Sequence, residues 1–338
     1  MITSLRIENF RGIRRGSLED LAPLTILTGP NACGKSAILD ALLIATSPKP
    51  DDGVGRAVSR HRSVTSGARW LCFGESASAR VEVGSDSGER WSRGLRWIDD
   101  YDDDLGEKLR RVNGVPPFST VAVDDGDELA DESTVAFDAE NRYERRRDEG
   151  EATNAVGFVR LVDPGLPIPL HQTFSAVQKA GRRNEVELLL KGLIPGFERL
   201  EILSMGGNHF GLHVVCDGRA VPVGLSGDGV QGMVQLALEI AVAPEGLVLI
   251  EEPEVYQHPK AIWLSAKALL ANMRRGVQVV LTTHSLELID ALLSEAAETD
   301  LDSMALFNLK LEDGELSTGR SSGSDMTFAR RTLETDLR

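Results

Sequence analysis

The fold turns on PLTILTGPNACGKSAILDALLIA, residues 23–45. Residues 23–29 form a short apolar run with β-branched members that stops at Gly-Pro, which predicts a buried strand. Residues 35–45 carry apolar side chains at helical spacing. Between them, 29–36 reads G-x-x-x-x-G-K-S, a phosphate-loop pattern that gains meaning only with a strand before it and a helix after it. Both flanks are present. Gly29 and Gly34 permit backbone turns that aim N–H groups inward, with Pro30, Asn31, Ala32 and Cys33 between them, and the helix start adds its positive end. In such a loop Lys35 reaches the β- and γ-phosphates of a nucleotide, and Ser36 ligates Mg²⁺. A glycine turn with a chance Lys-Ser would explain the two residues but not their flanks.

A phosphate loop needs a carboxylate at the end of a neighbouring strand. LVLIEEPEVYQHP, residues 247–259, supplies an apolar strand that ends in Glu251 and Glu252, followed by Pro253. Glu251 is the expected organiser of the metal, and Glu252 the general base that polarises the attacking water. A zinc site is the rival, since Glu254 and His258 stand at i and i+4. Pro253 and Pro259 bracket that segment, however, and make it a poor helix. The expectation is that Glu254 and His258 shape the turn. A second apolar strand, 277–285, ends in Thr283, His284 and Ser285. Adjacent parallel strands present their ends at one edge of a sheet, where ligands bind. His284 is thereby a candidate for contact with the γ-phosphate, with Ser285 as a helix cap.

Composition bounds the class. The chain has 338 residues, 41% of them apolar, which suits one large or two small domains with a proper core. No apolar stretch is long enough to span a membrane, and the N-terminus lacks a signal-peptide layout. Three separated cysteines give no disulfide or zinc framework and fit a reduced, cytoplasmic protein. The net charge of −15 argues against general affinity for nucleic acid. Residues 99–151 hold 18 acidic and 7 basic residues, so that segment alone carries −11. Its acidic loops read as solvated surface or as a dock for a basic partner.

Strands are expected at 4–10, 68–73, 79–84 and 119–125, and helices at 184–194, 227–243, 259–273 and 285–296. A hairpin is expected around Asp217-Gly218 and a closing one over 304–319. Strands alternate with helices in the C-terminal half, which predicts a mainly parallel sheet covered by helices.

IENFRG (7–12), GPNACGKS (29–36), IEEPEVYQHP (250–259) and TTHS (282–285) together resemble the RecF, SMC and OLD-like branch of ATP-binding-cassette ATPases, closest in look to compact AAA15-type members without a long coiled coil. The resemblance covers 1–46 and about 183–338, including the terminal TLETDLR, and is poor over the middle third. It implies an α/β P-loop NTPase with the ABC-type ATPase head. A mainly parallel sheet is flanked by helices and joined by an antiparallel β subdomain and an irregular insertion. The whole chain, 1–338, is then one bilobed head, with 1–46 and 183–338 as nucleotide-binding core and 47–182 as insertion. It further implies a signature loop at LSGDGVQ (225–231), where Ser226, Gly227, Asp228 and Gly229 cap the γ-phosphate held by the opposite subunit. Arg11, after the phenylalanine of the first strand, is implied to lie near the nucleotide.

Departures from the pattern are Glu251 where Asp is commoner, Cys33 at a small-residue position, and no assignable Q-loop glutamine beyond Gln172 and Gln178. No Toprim nuclease domain is expected. The implied function is an ATP-driven switch that dimerises heads around ATP–Mg²⁺ and controls a separately encoded effector or nuclease in phage defence or DNA repair, with nucleic acid met directly or through that partner. The alternative is a regulatory scaffold whose ATP state controls assembly without nucleic-acid contact. A transport-coupled cassette is a third, more distant reading.

Overall fold

In the parallel part of the molecule, strand Leu24–Thr28 (β3) is buried along its whole length, as are strands Gly246–Ile250 (β13), save its first residue, and Val277–Thr282 (β14). Strands covered on both faces need continuous apolar runs, and these sequences supply them. β13 pairs parallel with β14, and β14 pairs parallel with β3. The register sets Ile250 opposite Leu281 and Thr282 opposite Leu27, so all three strands end level. The computed structural model describes residues 1–61, 67–74, 76, 78–98, 119–124, 133–137, 141–146, 159–163, 168–243, 245–255 and 257–338.

The chain divides into two units, each assembled from separate stretches. Unit one comprises 1–21, 29–159 and 308–319, and unit two 22–28, 160–307 and 320–338. This division by contacts differs from the sequence partition at 46/47 and 182/183, because the first helix packs on strands from both sides of residue 46.

Among the described residues, unit one has an antiparallel sheet and two α-helices. Its strands are Ile2–Phe10 (β1), Ile13–Glu19 (β2), Ser78–Ser85 (β4), Arg90–Ile98 (β5), Ser119–Asp124 (β6), Ser133–Phe137 (β7) and Tyr143–Arg146 (β8), in the order β8-β7-β6-β5-β4-β1-β2. Phe10 pairs with Ile13, so Arg11 and Gly12 make a two-residue turn. Arg11 there adopts φ 52. Helix Lys35–Thr46 (α1) packs against β4, and helix Pro50–Ser59 (α2) against β7 and β8. The strand expected at 68–73 does not form: Gly67–Trp70 is a 3-10 turn, and Cys72 makes only an isolated bridge to Phe10. Its β-prone residues serve a turn that leaves Trp70 65% exposed. The acidic runs beyond Asp124, and most of 99–151, lie outside the described residues.

Unit two holds β3, β13, β14 and strand Val159–Val162 (β9) from Arg160 onward. It also has a separate three-stranded antiparallel sheet, Phe197–Gly206 (β10), His209–Cys216 (β11) and Arg219–Pro222 (β12). Asp217 and Gly218 turn β11 into β12 with positive φ, as expected for Asp-Gly. Helices Leu170–Lys179 (α3), Arg183–Lys191 (α4) and Asp228–Val242 (α5) close over that sheet. Phe174, Leu190, Leu200, Leu212, Val234 and Leu238 form the core between them. Helix Pro259–Arg274 (α6) starts with proline at its first turn, and helix Leu286–Glu295 (α7) follows β14. Glu298–Leu301 (α8) and Gly323–Arg331 (α9) complete the unit. Strands Met304–Glu312 (β15) and Glu315–Ser322 (β16) are joined by Asp313 and Gly314, both at positive φ. None of the described helices is long and apolar enough to cross a membrane.

Candidate functional site

In unit one the loop 29–36 has the shape its glycines suggested. Gly29, Ala32 and Gly34 all take positive φ, at 135°, 62° and 97°. A Cβ on Gly29 would lie 2.5 Å from the Leu309 carbonyl oxygen, so only glycine fits there. Lys35 is buried, and its Nζ donates to the carbonyls of Gly29 at 2.9 Å and Pro30 at 3.1 Å, with Cys33 Sγ 3.8 Å away. Cys33 itself is buried, while Pro30, Asn31 and Ala32 face solvent. α1 begins at Gly34 with no side-chain cap and no acidic residue in its first turn. Its positive end is therefore uncompensated by protein, which suits an anion.

Four residues beyond Ser36, and so on the same face of α1, stands Asp40. It is wholly buried and bonded to Arg11 at 2.8 Å, Arg60 at 3.2 Å and His61 at 3.4 Å. Arg11 also donates to the Ala57 carbonyl. Burial pushes the Asp40 carboxyl up, and the pull of Arg11, Arg60 and His61 more than offsets it, leaving it below the usual carboxylate range. Arg11 is thus no free surface residue; it braces the turn after β1 to the helix that carries Ser36. Sequence reasoning passed over Asp40, although an acid inside the apolar helical run 37–45 was a signal that it must be paired.

In unit two the ends of β13 and β14 are tied together. The Glu251 N–H donates to the Val162 carbonyl of β9. Glu252 takes a left-handed φ of 40°, and its N–H donates to Thr282 Oγ1 at 3.1 Å. His284 Nε2 lies 3.6 Å from Glu252 Oε1, and both side chains are about one-third exposed. The two expected catalytic residues therefore meet. Glu254, expected only to shape the turn, accepts hydrogen bonds from Thr283 Oγ1 at 2.6 Å and from the His284 N–H at 3.0 Å. His258 caps α6, its Nδ1 accepting from the Lys260 N–H. Glu254 is thus turned to Thr283, and His258 serves as a helix cap. Among the described residues no group of three or more His, Cys, Asp or Glu converges to hold a metal. Ser36 in unit one and Glu251 in unit two each carry a hard oxygen donor of the kind Mg²⁺ takes.

The loop 226–229 opens α5. Gly227 is its N-cap without a side-chain bond, and Ser226 is held by its carbonyl, which accepts from Gln231 Nε2 at 2.7 Å. Gly227 and Asp228 are exposed, and Leu225 just before them is 78% exposed. Asp228 places a carboxylate in the first turn, favourable for the helix dipole and opposed to a bare anion. Gln172 and Gln178 both lie on α3, exposed.

Residues 24–290 match the family described as "AAA domain, putative AbiEii toxin, Type IV TA system". An uncharacterized protein of Methanocaldococcus jannaschii, MJECL11, is 33% identical over 114 residues, which is 33% of this chain and 98% of that protein. Among solved structures, an Smc head bound to the C-winged helix domain of ScpA is 14% identical with a TM-score of 0.51, covering 95% of this chain and 98% of that one. An Smc head with an extended coiled coil, bound to the C-terminal domain of ScpA and derived from Pyrococcus furiosus, is 12% identical with a TM-score of 0.51, covering 99% of each chain. At such identities the likeness is one of fold. The chain belongs to that AAA-domain family, and its fold is the α/β P-loop fold of the ABC-type ATPase head shared by RecF and SMC proteins.

Proposed function

We propose that this chain binds and hydrolyses ATP and uses the cycle as a switch, two heads closing around ATP and reopening after hydrolysis. The observation that carries the proposal is the level register of three parallel strands. β3 runs directly into the loop 29–36, β14 ends at 282–285 and β13 ends at Glu251 and Glu252. The C-terminal ends of parallel strands are where nucleotides bind in this class of sheet.

In the cycle the loop N–H groups and Lys35 bind the phosphates. To do so Lys35 exchanges the Gly29 and Pro30 carbonyls for phosphate oxygens. Mg²⁺, when bound by Ser36 and through water by Glu251, supplies charge neutralisation of the phosphates. Glu252 takes the proton of the attacking water, and His284 holds the Glu252 side chain on one side and faces the γ-phosphate on the other. Ser226, Gly227 and Gly229 lie at an exposed helix start, which supports a role in capping ATP on a second copy. Asp228 then turns outward from the phosphate.

The partner is a separately encoded effector or nuclease, in a defence or repair setting. The family's toxin–antitoxin description and the partner-bound Smc heads support that reading. The test is the solution mass of Glu252→Gln with and without ATP–Mg²⁺. The variant keeps ATP and is expected to go from one assembly state to a larger or visibly more compact one. If ATP binds and neither mass nor shape responds, head-to-head switching fails and a nucleotide-binding scaffold takes its place.

A further inference from the structure

The turn that carries His284 is held by the Thr283 N–H, which donates to the Leu27 carbonyl at 3.1 Å, and by the side chain of Glu254. One carboxylate oxygen of Glu254 accepts both the Thr283 hydroxyl and the His284 backbone N–H. The Thr283 Oγ1 in turn accepts the Ser285 N–H at 2.9 Å, and Ser285 Oγ caps α7 by accepting from the Leu288 N–H. Every residue of 283–285 is thus fixed, directly or at one remove, by Glu254. Thr283 is wholly buried. On the opposite side, the Glu252 N–H is tied to Thr282 Oγ1, and buried Pro253 separates the two glutamates. The two ties run in opposite directions, one from the 252 backbone to a threonine hydroxyl and one from the 254 side chain to the next threonine and histidine. They close a ring through residues 252–254 and 282–284, and across that ring His284 Nε2 faces Glu252 Oε1.

We propose that Glu254 is a positioning residue of the nucleotide site, whose carboxylate sets the 283–285 turn and thereby holds the His284 imidazole within reach of Glu252. The proposal rests on the ATPase reading above. A turn serving stability alone would not need a carboxylate with one oxygen buried and unbonded. Burial raises the Glu254 carboxyl above its ordinary range, against the bonds from Thr283 and His284 that lower it. Its second oxygen, Oε2, is buried and accepts no hydrogen bond from the described residues. Native structures tolerate such a group where it serves a site. An acceptor at the end of a three-atom stem is what spans from the β13 end to the β14 end. An aspartate is one methylene short, and a glutamine keeps the acceptor without the charge.

The experiment compares full-length Glu254→Ala and Glu254→Gln with the wild type by two readouts. Steady-state ATP hydrolysis is expected to fall about 100-fold in kcat for Glu254→Ala with little change in KM, because the reacting groups are displaced rather than the phosphates released. Glu254→Gln, whose amide oxygen accepts the same two bonds, is expected to restore most of that loss. The second readout needs no turnover. In protein carrying ¹⁵N-histidine, the His284 ring signals, assigned by their loss in His284→Ala, move in Glu254→Ala and stay in place in Glu254→Gln. Unmoved ring signals in Glu254→Ala overturn the proposal. So does equal loss of activity in both variants with His284 unmoved, which assigns the carboxylate a direct role. Should Glu254→Ala fail to fold, Glu254→Asp carries the same comparison, since its shorter side chain cannot make both bonds. If the wild type hydrolyses no ATP, the ATPase reading falls, while the ring signals still decide what Glu254 does.

Discussion

Gly29 shows how a single position carries the phosphate loop. It must turn at φ +135, and the Leu309 carbonyl stands 2.5 Å from where a side chain would begin. Gly29→Ala therefore combines backbone strain with a clash against backbone that cannot swing away. We expect it to lower stability by about 3 kcal/mol, read as a shifted midpoint in urea unfolding. A wild-type midpoint would mean that the loop does not hold this conformation in solution. The loop was legible in the sequence because its meaning is local: two glycines, a lysine and their immediate flanks. The work of Glu254 was not legible, because its partners sit 29 and 30 positions away and only the β13–β14 register brings them together. The clue available in the sequence was the buried pair Thr282 and Thr283, whose hydroxyls needed partners at the end of an apolar strand.

At the scale of elements, α1 is joined to its surroundings by charge as well as by apolar packing. Asp40 is its one buried carboxylate, and two guanidiniums face it. Removing its charge takes the buried carboxylate from both guanidiniums, so Asp40→Asn should cost about 3–5 kcal/mol near neutral pH. The pH dependence has a definite sign. A carboxyl held below its usual range in the folded state contributes stability that is complete above its unfolded pKa of about 4, and the contribution is lost as the pH falls through the lower, folded value. The gap between wild type and Asp40→Asn in urea unfolding should thus be full at neutral pH and narrow steadily in acid below about pH 4. A gap that stays constant with pH would show that Asp40 is not the titrating member. Helices were easier to read than strands here. α5, α6 and α7 follow apolar periodicity and caps, and Ser285 caps as expected. β10 mixes exposed and half-buried residues over most of its length, so no alternation marks it, and its pairing with β11 fixes it instead. The run 68–73 has strand-forming residues but, among the described residues, pairs through one bridge alone.

For the whole molecule, charge sets what it meets. The net of −15 weighs against bare nucleic acid, and the basic pairs that might have offset it are engaged. Arg182 meets Glu185, Arg183 meets Glu187, Arg274 meets Asp300 and Arg275 approaches Glu185. The three arginines at 145–147 lie outside the described side chains. We expect the chain alone to bind duplex DNA no more tightly than about 10⁻⁵ M at physiological salt, with or without ATP, as read by fluorescence anisotropy at two salt concentrations. Submicromolar binding with a steep salt dependence would place a phosphate-contacting surface on this chain itself and remove the need for a partner to reach DNA.

The interleaving of the two units has a consequence for how the protein is made. Unit one needs residues 308–319 to be complete, although its first strand is among the first residues synthesised. At ribosomal speeds of about 5–20 residues per second, the opening hairpin waits roughly 15–60 s for the segment that carries Leu309. Its apolar faces spend that interval on a nascent chain without their final partners. The loop 29–36 takes its Leu309 backbone neighbour only near the end of translation, so its conformation is completed late. Stalling or truncating synthesis before residue 308 should leave a chain that chaperones hold and nucleotide does not rescue.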